Sequence, residues 1–191
     1  DAFNNKFAKL IELAKTATEG TNRIKMIVED LRVFARLDDA KKATAKITDL
    51  LTSTVHLIQT QYDGIEIIMQ FDFSPELPCF PSKLNQVFMN IIVNACQAIV
   101  SKQTNNKDFE GEVLITTTKQ NGRLMMRFKD NGCGMDKVTL QRIFEPFYTT
   151  KDVGTGTGLG MAITFGIIEE HGGSISIDST LGEGAEMTIL L

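Results

Sequence analysis

Tryptophan is absent, and the 191 residues hold only two tyrosines, two histidines and three cysteines. The histidines, His56 and His171, stand alone, with no HExxH motif and no His/Cys pairing, so an imidazole-built metal centre is excluded. Cys79, Cys96 and Cys133 are odd in number and widely spaced, which rules out a disulfide framework or a zinc cluster and fits a reducing cytoplasm. A basic excess is missing too. Twenty Lys and Arg face 24 Asp and Glu, a formal net charge of −4, which argues against a general nucleic-acid binder. No uninterrupted apolar run approaches the roughly 18 to 20 residues of a membrane span. The longest stretch, residues 87–100, is broken by Asn90, Asn94 and Gln97, so direct membrane contact is not expected. There is neither a signal peptide nor an initiator Met, and the chain reads as a fragment cut from something longer.

What is present is close to the globular average, at 42% hydrophobic and 23% charged residues. The length suits one domain with an appendage. Residues 1–37 read as helical, with Phe3, Phe7, Leu10, Ile11 and Ala14 on one stripe. A second stripe follows Gly20 through Ile24, Ile27, Val28, Leu31 and Phe34. Such a stripe packs either on the following domain or in a helix-bundle or dimer face. The texture changes after Asp38-Asp39. A short strand at 45–47 and a helix at 49–61, capped by Thr48 or Asp49, lead to strict alternation at Ile65, Ile67, Met69, Phe71 and Phe73. Pro75, Pro78 and Pro81 mark a connecting loop, and Ser82 is placed to N-cap a helix to about residue 101. Strands at 113–118 and 124–129 flank Asn121-Gly122, a hairpin signal. A short helix at 137–143, a helix at 159–170 stopped by Gly172-Gly173, and strands at 174–178 and 185–191 complete the pattern. This order implies an α+β fold, one sheet with helices layered on one face.

Three stretches carry chemistry. On the 82–101 helix, Asn90 and Asn94 lie one turn apart with Gln97 beside them. Their carbonyl oxygens suit a hard cation such as magnesium, although a solvated helix face has the same pattern. Asp130-Asn131-Gly132-Cys133-Gly134 follows a strand; its glycines permit close backbone approach, and the carboxylate can accept from an exocyclic amine. An ordinary structural turn reads the same way. In Gly154-Thr155-Gly156-Thr157-Gly158-Leu159-Gly160, glycine at every second position runs into a helix N-terminus, an anion-binding arrangement. It is neither a Walker A loop nor a Rossmann fingerprint. Upstream, Phe144-Glu145-Pro146-Phe147-Tyr148 reads as an aromatic anchor and Lys151 as a mobile cation.

In this order and spacing the elements resemble bacterial sensor histidine kinases. Residues 90–95 look like the N box, 130–134 the G1 box, 143–151 the F box and 156–161 the G2 box. The resemblance runs from about residue 45 to the end, and residues 21–37 look like the second helix of the dimerisation and phosphotransfer hairpin. It implies a helical remnant at 1–38 and a catalytic ATP-binding domain at 39–191, with the Bergerat-type α/β sandwich shared with gyrase-class ATPases. By this resemblance Asp130 receives the adenine amino group, with Gly132 and Gly134 shaping its loop. Asn94 and Asn90 hold magnesium on the phosphates of ATP. Phe144 and Phe147 anchor a lid spanning 146–158. Gly156, Thr157, Gly158, Leu159 and Gly160, with Lys151, meet the phosphate tail. The chemistry is in-line phosphoryl transfer.

Two departures matter. ATP-hydrolysing relatives carry a glutamate one turn before the magnesium asparagine; here Asn90 stands there and cannot act as a general base, so negligible ATPase is expected. The family's acceptor, a histidine followed by an acidic residue, is also missing. His56 precedes Leu57 and His171 precedes two glycines, so both read as structural and no phosphoacceptor is present. The expected acceptor is a histidine-bearing helix of the parent chain or its dimer partner, with a response regulator downstream. The chain itself is expected to be monomeric and cytoplasmic. Ala185 stands where many such proteins place a threonine, and Cys133 fills a variable position of the adenine loop. The alternatives are a nucleotide-dependent interaction module and a gyrase- or chaperone-like ATPase.

Overall fold

A computed structural model of the chain describes residues 16–18, 20–21, 41–106, 108–151 and 156–191. The helical reading of residues 1–37 lies outside these except at 16–18 and 20–21, which are helical. Two features shape the remainder: a long central helix and the sheet that it crosses.

Strands β1 (Ala43–Lys46) and β3 (Glu76–Cys79) form an antiparallel ribbon, with Ala43 opposite Cys79 and Lys46 opposite Glu76. The ribbon runs into helix α1 (Ile47–Gln59) and follows strand β2 (Ile65–Phe71). This corrects the proline-rich loop expected at 75–81. Pro78 is tolerated because a two-stranded ribbon leaves one side of each strand unpaired. Helix α2 (Pro81–Asn105) begins with Pro81 in its first turn and ends four residues later than expected. Neither expected cap forms. The N-cap residues are Phe80 for α2 and Lys46 for α1, without side-chain bonds, so Ser82, Thr48 and Asp49 all lie inside their helices.

Strands β4 (Gly111–Gln120) and β5 (Arg123–Asp130) make the expected hairpin, and Asn121 and Gly122 both take positive φ, at 51° and 84°. After helices α3 (Lys137–Arg142) and α4 (Gly160–Glu170), strands β6 (Ser174–Thr180) and β7 (Gly184–Leu190) close the fold. The five-stranded sheet has the order β2-β4-β5-β7-β6. Only β2 and β4 are parallel, and α2 supplies the crossover that a parallel pair requires.

One face of the sheet carries the alternating apolar positions: Ile65 and Ile67, Val113 and Ile115, Leu124, Met126 and Phe128, Met187 and Ile189. Against it lie Leu84, Val87, Phe88, Ile91, Ile92 and Ile99 of α2, flanked by Leu51 and Val55 of α1 and Ile167 and Ile168 of α4. By length and composition α2 is a helix that could cross a bilayer, but here its apolar stripe is buried in the protein core. The start of α2 is tied to the end of α4. Buried Lys83 bonds both carboxylate oxygens of Glu170, at 2.6 and 2.7 Å. His171 Nε2 accepts from the Phe80 amide at 3.0 Å, while Nδ1 lies 2.7 Å from the Ile167 carbonyl oxygen. The imidazole therefore donates from Nδ1 as a neutral ring. His56 is exposed on α1.

Candidate functional site

The polar face of α2 and the two glycine-rich loops converge on a pair of adjoining cavities. The larger, about 700 Å³, has Asp130 at its floor and Ile91, Phe128, Met161, Ile177 and Met187 as apolar walls, with Gly134 and Cys133 at one side. The smaller, about 310 Å³, is lined by Asn90, Gly156, Thr157, Gly158 and Gly160, where α4 begins. Asn94, Gln97, Thr139, Thr150 and Lys151 line both, so the two form one continuous cleft. A mostly apolar chamber with one fixed carboxylate, opening onto a helix N-terminus, accepts a flat amine-bearing ring carrying an anionic tail.

Asp130 is the buried carboxylate among the described residues. Burial raises its pKa above the ordinary aspartate value, opposed by backbone hydrogen bonds from Gly132 and Ala185 and by the positive charge of Lys102. The Gly132 amide donates to Oδ1 at 2.8 Å, which fixes the carboxylate orientation. The loop leaving β5 is stitched on every side. Cys133 N donates to Ala98 O of α2, Gly182 N donates to Cys133 O, and Met135 N donates to Ser179 Oγ. Gly134 has φ +64°, and a β-carbon there would stand 2.0 Å from the Thr180 carbonyl oxygen, so a side chain is excluded.

At the other end, Asn90 gives its amide hydrogens to Gly160 O, at 2.9 Å, and Thr164 Oγ1, at 3.3 Å. That fastens α2 to the start of α4 and keeps the Asn90 carbonyl oxygen for a donor or cation. Asn94 Oδ1 and Gln97 Oε1 both accept from the Lys151 ammonium, the former at 3.1 Å. The stem of Lys151 is exposed while its ammonium is turned into the cleft, and desolvation there lowers its pKa below the usual lysine value. These carboxamide oxygens thus already hold a cation, which is the donor chemistry a magnesium ion requires. Among the described residues no group of three His, Cys, Asp or Glu side chains offers an alternative centre.

The remaining sequence candidates act from outside the cleft. Gly132, Phe144, Phe147 and Leu159 line neither cavity. Phe144 packs on Phe165 of α4 with ring centroids 5.5 Å apart. Phe147 does not anchor through its ring, which is 67% exposed; its amide instead bonds Gly158 O at 2.9 Å, with φ +67°. Leu159 is buried at the N-cap of α4, and its amide donates to Thr157 Oγ1. Sequence reasoning gave no site role to several residues, among them Thr139 and Thr150 of the shared lining, Gln97, and Lys102 behind the loop of Asp130. Gln97 was set beside the asparagines without a role, although its helical spacing from Asn90 and Asn94 was the signal. Lys102 gave no signal at all.

Residues 80–191 match the sequence profile of the histidine kinase-, DNA gyrase B-, and HSP90-like ATPases, a span that holds α2, both glycine loops and strands β4 to β7. The chain belongs to this ATPase family. Nucleotide binding comes with membership of this family. Among curated relatives, Sporulation kinase E of Bacillus subtilis is 32% identical over 178 residues, covering 91% of this chain and 23% of that protein. Sensor histidine kinase ZraS of Salmonella typhimurium is 31% identical over 185 residues, covering 94% of this chain and 37% of that protein. The chain therefore spans about a quarter to two fifths of the length of such relatives. Among solved structures, full-length ShkA in complex with AMPPNP superposes with a TM-score of 0.74 at 28% identity, covering 90% of this chain and 36% of that one. The structural likeness thus extends beyond the residues matched by the family profile, to 90% of the chain.

Proposed function

We propose that the chain supplies the ATP-binding kinase domain of a two-component sensor histidine kinase. Residues 39–191 form that domain and residues 1–38 belong to the dimerisation and phosphotransfer region. The γ-phosphate goes to a histidine on a helix outside these 191 residues and from there to a response regulator. The observation that carries the reading is the buried, orientationally fixed carboxylate of Asp130 in a cavity continuous with the glycine-lined start of α4.

In this reading adenine enters the larger cavity and its exocyclic amine donates to Asp130. Gly156, Gly158 and Gly160 present backbone amides to the phosphates, with Thr157 beside them and Lys151 as a countercharge. Asn94 and Asn90 hold magnesium through carbonyl oxygens, and Gln97 borders the same seat. When bound, the ion neutralises charge on the phosphates. The protein's share is positioning: the Asn90 bonds to Gly160 and Thr164 keep α2 and α4 in register around the phosphate tail. Asn90 is no general base, so water is not activated and the γ-phosphate is kept for a protein acceptor. ATP as substrate and three free thiols support a cytoplasmic location for this domain.

The test is transfer in trans. The chain, γ-labelled ATP and magnesium are mixed with a helical hairpin bearing a His-Glu or His-Asp pair. An acid-labile, alkali-stable label on the hairpin supports the reading. Steady phosphate release with no labelled hairpin contradicts it and favours a gyrase- or chaperone-like ATPase.

A further inference from the structure

Resting on the nucleotide reading above, we infer that Lys102 is a positioning residue for adenine recognition, holding the wall that carries Asp130 against the turn between β6 and β7. Lys102 lies in the last turn of α2 and lines neither cavity. Its Nζ donates to Asn131 O at 2.7 Å and to Gly182 O at 2.9 Å, while the ammonium sits 4.3 Å from the centroid of the Phe109 ring. Asn131 directly follows Asp130, and Gly182 is the turn residue whose amide already binds Cys133 O. One cation therefore joins three separate segments: the end of α2, the loop that aims the carboxylate, and the β6–β7 turn. Two carbonyl oxygens facing each other repel, and a shared ammonium removes that repulsion by a charge-assisted bond to each.

The loop does not depend on Lys102 for its existence. Asn131 Oδ1 accepts from Glu112 N, its Nδ2 donates to Glu110 O, and Cys133 N holds Ala98 O. A Lys102 variant should fold and still lose the fine position of the wall. Lys102 also supplies positive charge near Asp130, opposing the burial that favours its protonated form. The other ionisable groups are the buried thiol of Cys96, which feels the charge of Asp130 from behind the cavity wall, and, on the cavity itself, Cys133 and Lys151. The lining side chains from β6, β7 and α3 are uncharged: Ile177, Ala185, Met187 and Thr139.

The experiment measures dissociation constants of adenosine, ADP and AMP-PNP with magnesium, between pH 5 and 8, for the native chain, Lys102→Met and Lys102→Arg. The expected result is a loss of about tenfold in Lys102→Met, the size of one charged hydrogen bond, equal for all three ligands because the effect lies at the base end. The pH below which binding falls should rise in Lys102→Met, and Lys102→Arg should restore both. Unchanged constants with a lowered melting temperature would reduce Lys102 to a stability residue and overturn the inference. A loss that grows from adenosine to AMP-PNP would overturn it in favour of a phosphate contact. If the native chain bound none of the three, the nucleotide reading itself would fall.

Discussion

The ammonium of Lys151 lies 3.1 Å from Oδ1 of Asn94 and also bonds Oε1 of Gln97, although 57 and 54 residues separate it from those partners in the chain. The lysine that sequence reasoning assigned to the phosphates thus rests on one carboxamide assigned to the metal, Asn94, and on its neighbour Gln97. A divalent ion on the same oxygens and this ammonium exclude one another, so binding of magnesium and phosphate together moves Lys151 from oxygen acceptors on α2 to acceptors on the ligand. Lys151→Met should weaken AMP-PNP by about tenfold, the cost of one lost charged contact, and leave adenosine unchanged. Calorimetric titration of the two ligands checks this; equal losses for both would show that Lys151 does not reach the phosphates.

Asp130 carries a cost and a use. Burial raises its pKa in the folded chain, so its favourable contribution to folding is complete only below the ordinary aspartate value of 3.8 and is lost as pH rises through the higher folded value. At neutral pH the buried carboxylate is therefore a burden on stability, retained for its charge. Asp130→Asn should leave the chain at least as stable at pH 7, because Oδ1 can still accept from Gly132, while ATP binding falls by about ten- to a hundredfold. Binding by the native chain should weaken as pH drops through the folded value of Asp130. Denaturant unfolding paired with titration across pH 4 to 8 measures both halves.

Alternation at 65–73, the Asn-Gly hairpin and the two glycine-rich loops were legible in the sequence because each is a local rule written in consecutive residues. The β1–β3 ribbon was only half so: the strand expected at 45–47 overlaps β1, while β3 and the pairing went unread. Its strands are four residues long, one contains Pro78, and they pair across a helix and another strand, so neither has a period to read. The caps were misread for a related reason: Ser82 and Thr48 are good capping residues, but tertiary packing starts both helices earlier, at Pro81 and Ile47. Within the site, Asp130 and Asn94 could be picked out from motif context, whereas Phe147 could not be oriented, since its ring points outward and only its backbone ties the loop. Lys102 meets its partners 29 and 80 residues away through backbone carbonyls, which leave no mark on residue identity.

Gly158 takes φ +70°, and a β-carbon there would lie 2.4 Å from the Phe147 carbonyl carbon. An L-residue in that backbone region costs on the order of 1–2 kcal/mol before the clash is counted. Gly158→Ala should therefore break the Phe147–Gly158 bond and displace the loop that holds Lys151. Nucleotide affinity should fall sharply with little change in the melting temperature, because the loop lies outside the main core. A variant that binds like the native chain would show that this tie is dispensable.

Lys83 tests the opposite expectation. Its salt bridge to half-exposed Glu170 joins α2 to α4 far from Asp130. Lys83→Met should cost about 1–3 kcal/mol in urea unfolding, since Glu170 can turn to water while the methionine fills the buried stem. Adenosine affinity should hold. An unchanged unfolding midpoint would mean that the ion pair contributes nothing to the fold.

The most direct test is thermal unfolding of the native chain and of Asp130→Asn, each with and without magnesium-ATP. Ligand at a hundred times its dissociation constant adds about 2.7 kcal/mol. For a chain of this size that corresponds to a rise of roughly 5 to 11 °C. The account predicts such a rise for the native chain and, for Asp130→Asn at the same ATP concentration, a rise of about half that size or less. No rise in a folded native sample, or an equal rise in both proteins, would contradict the assignment of Asp130 and the cleft above it as the nucleotide site.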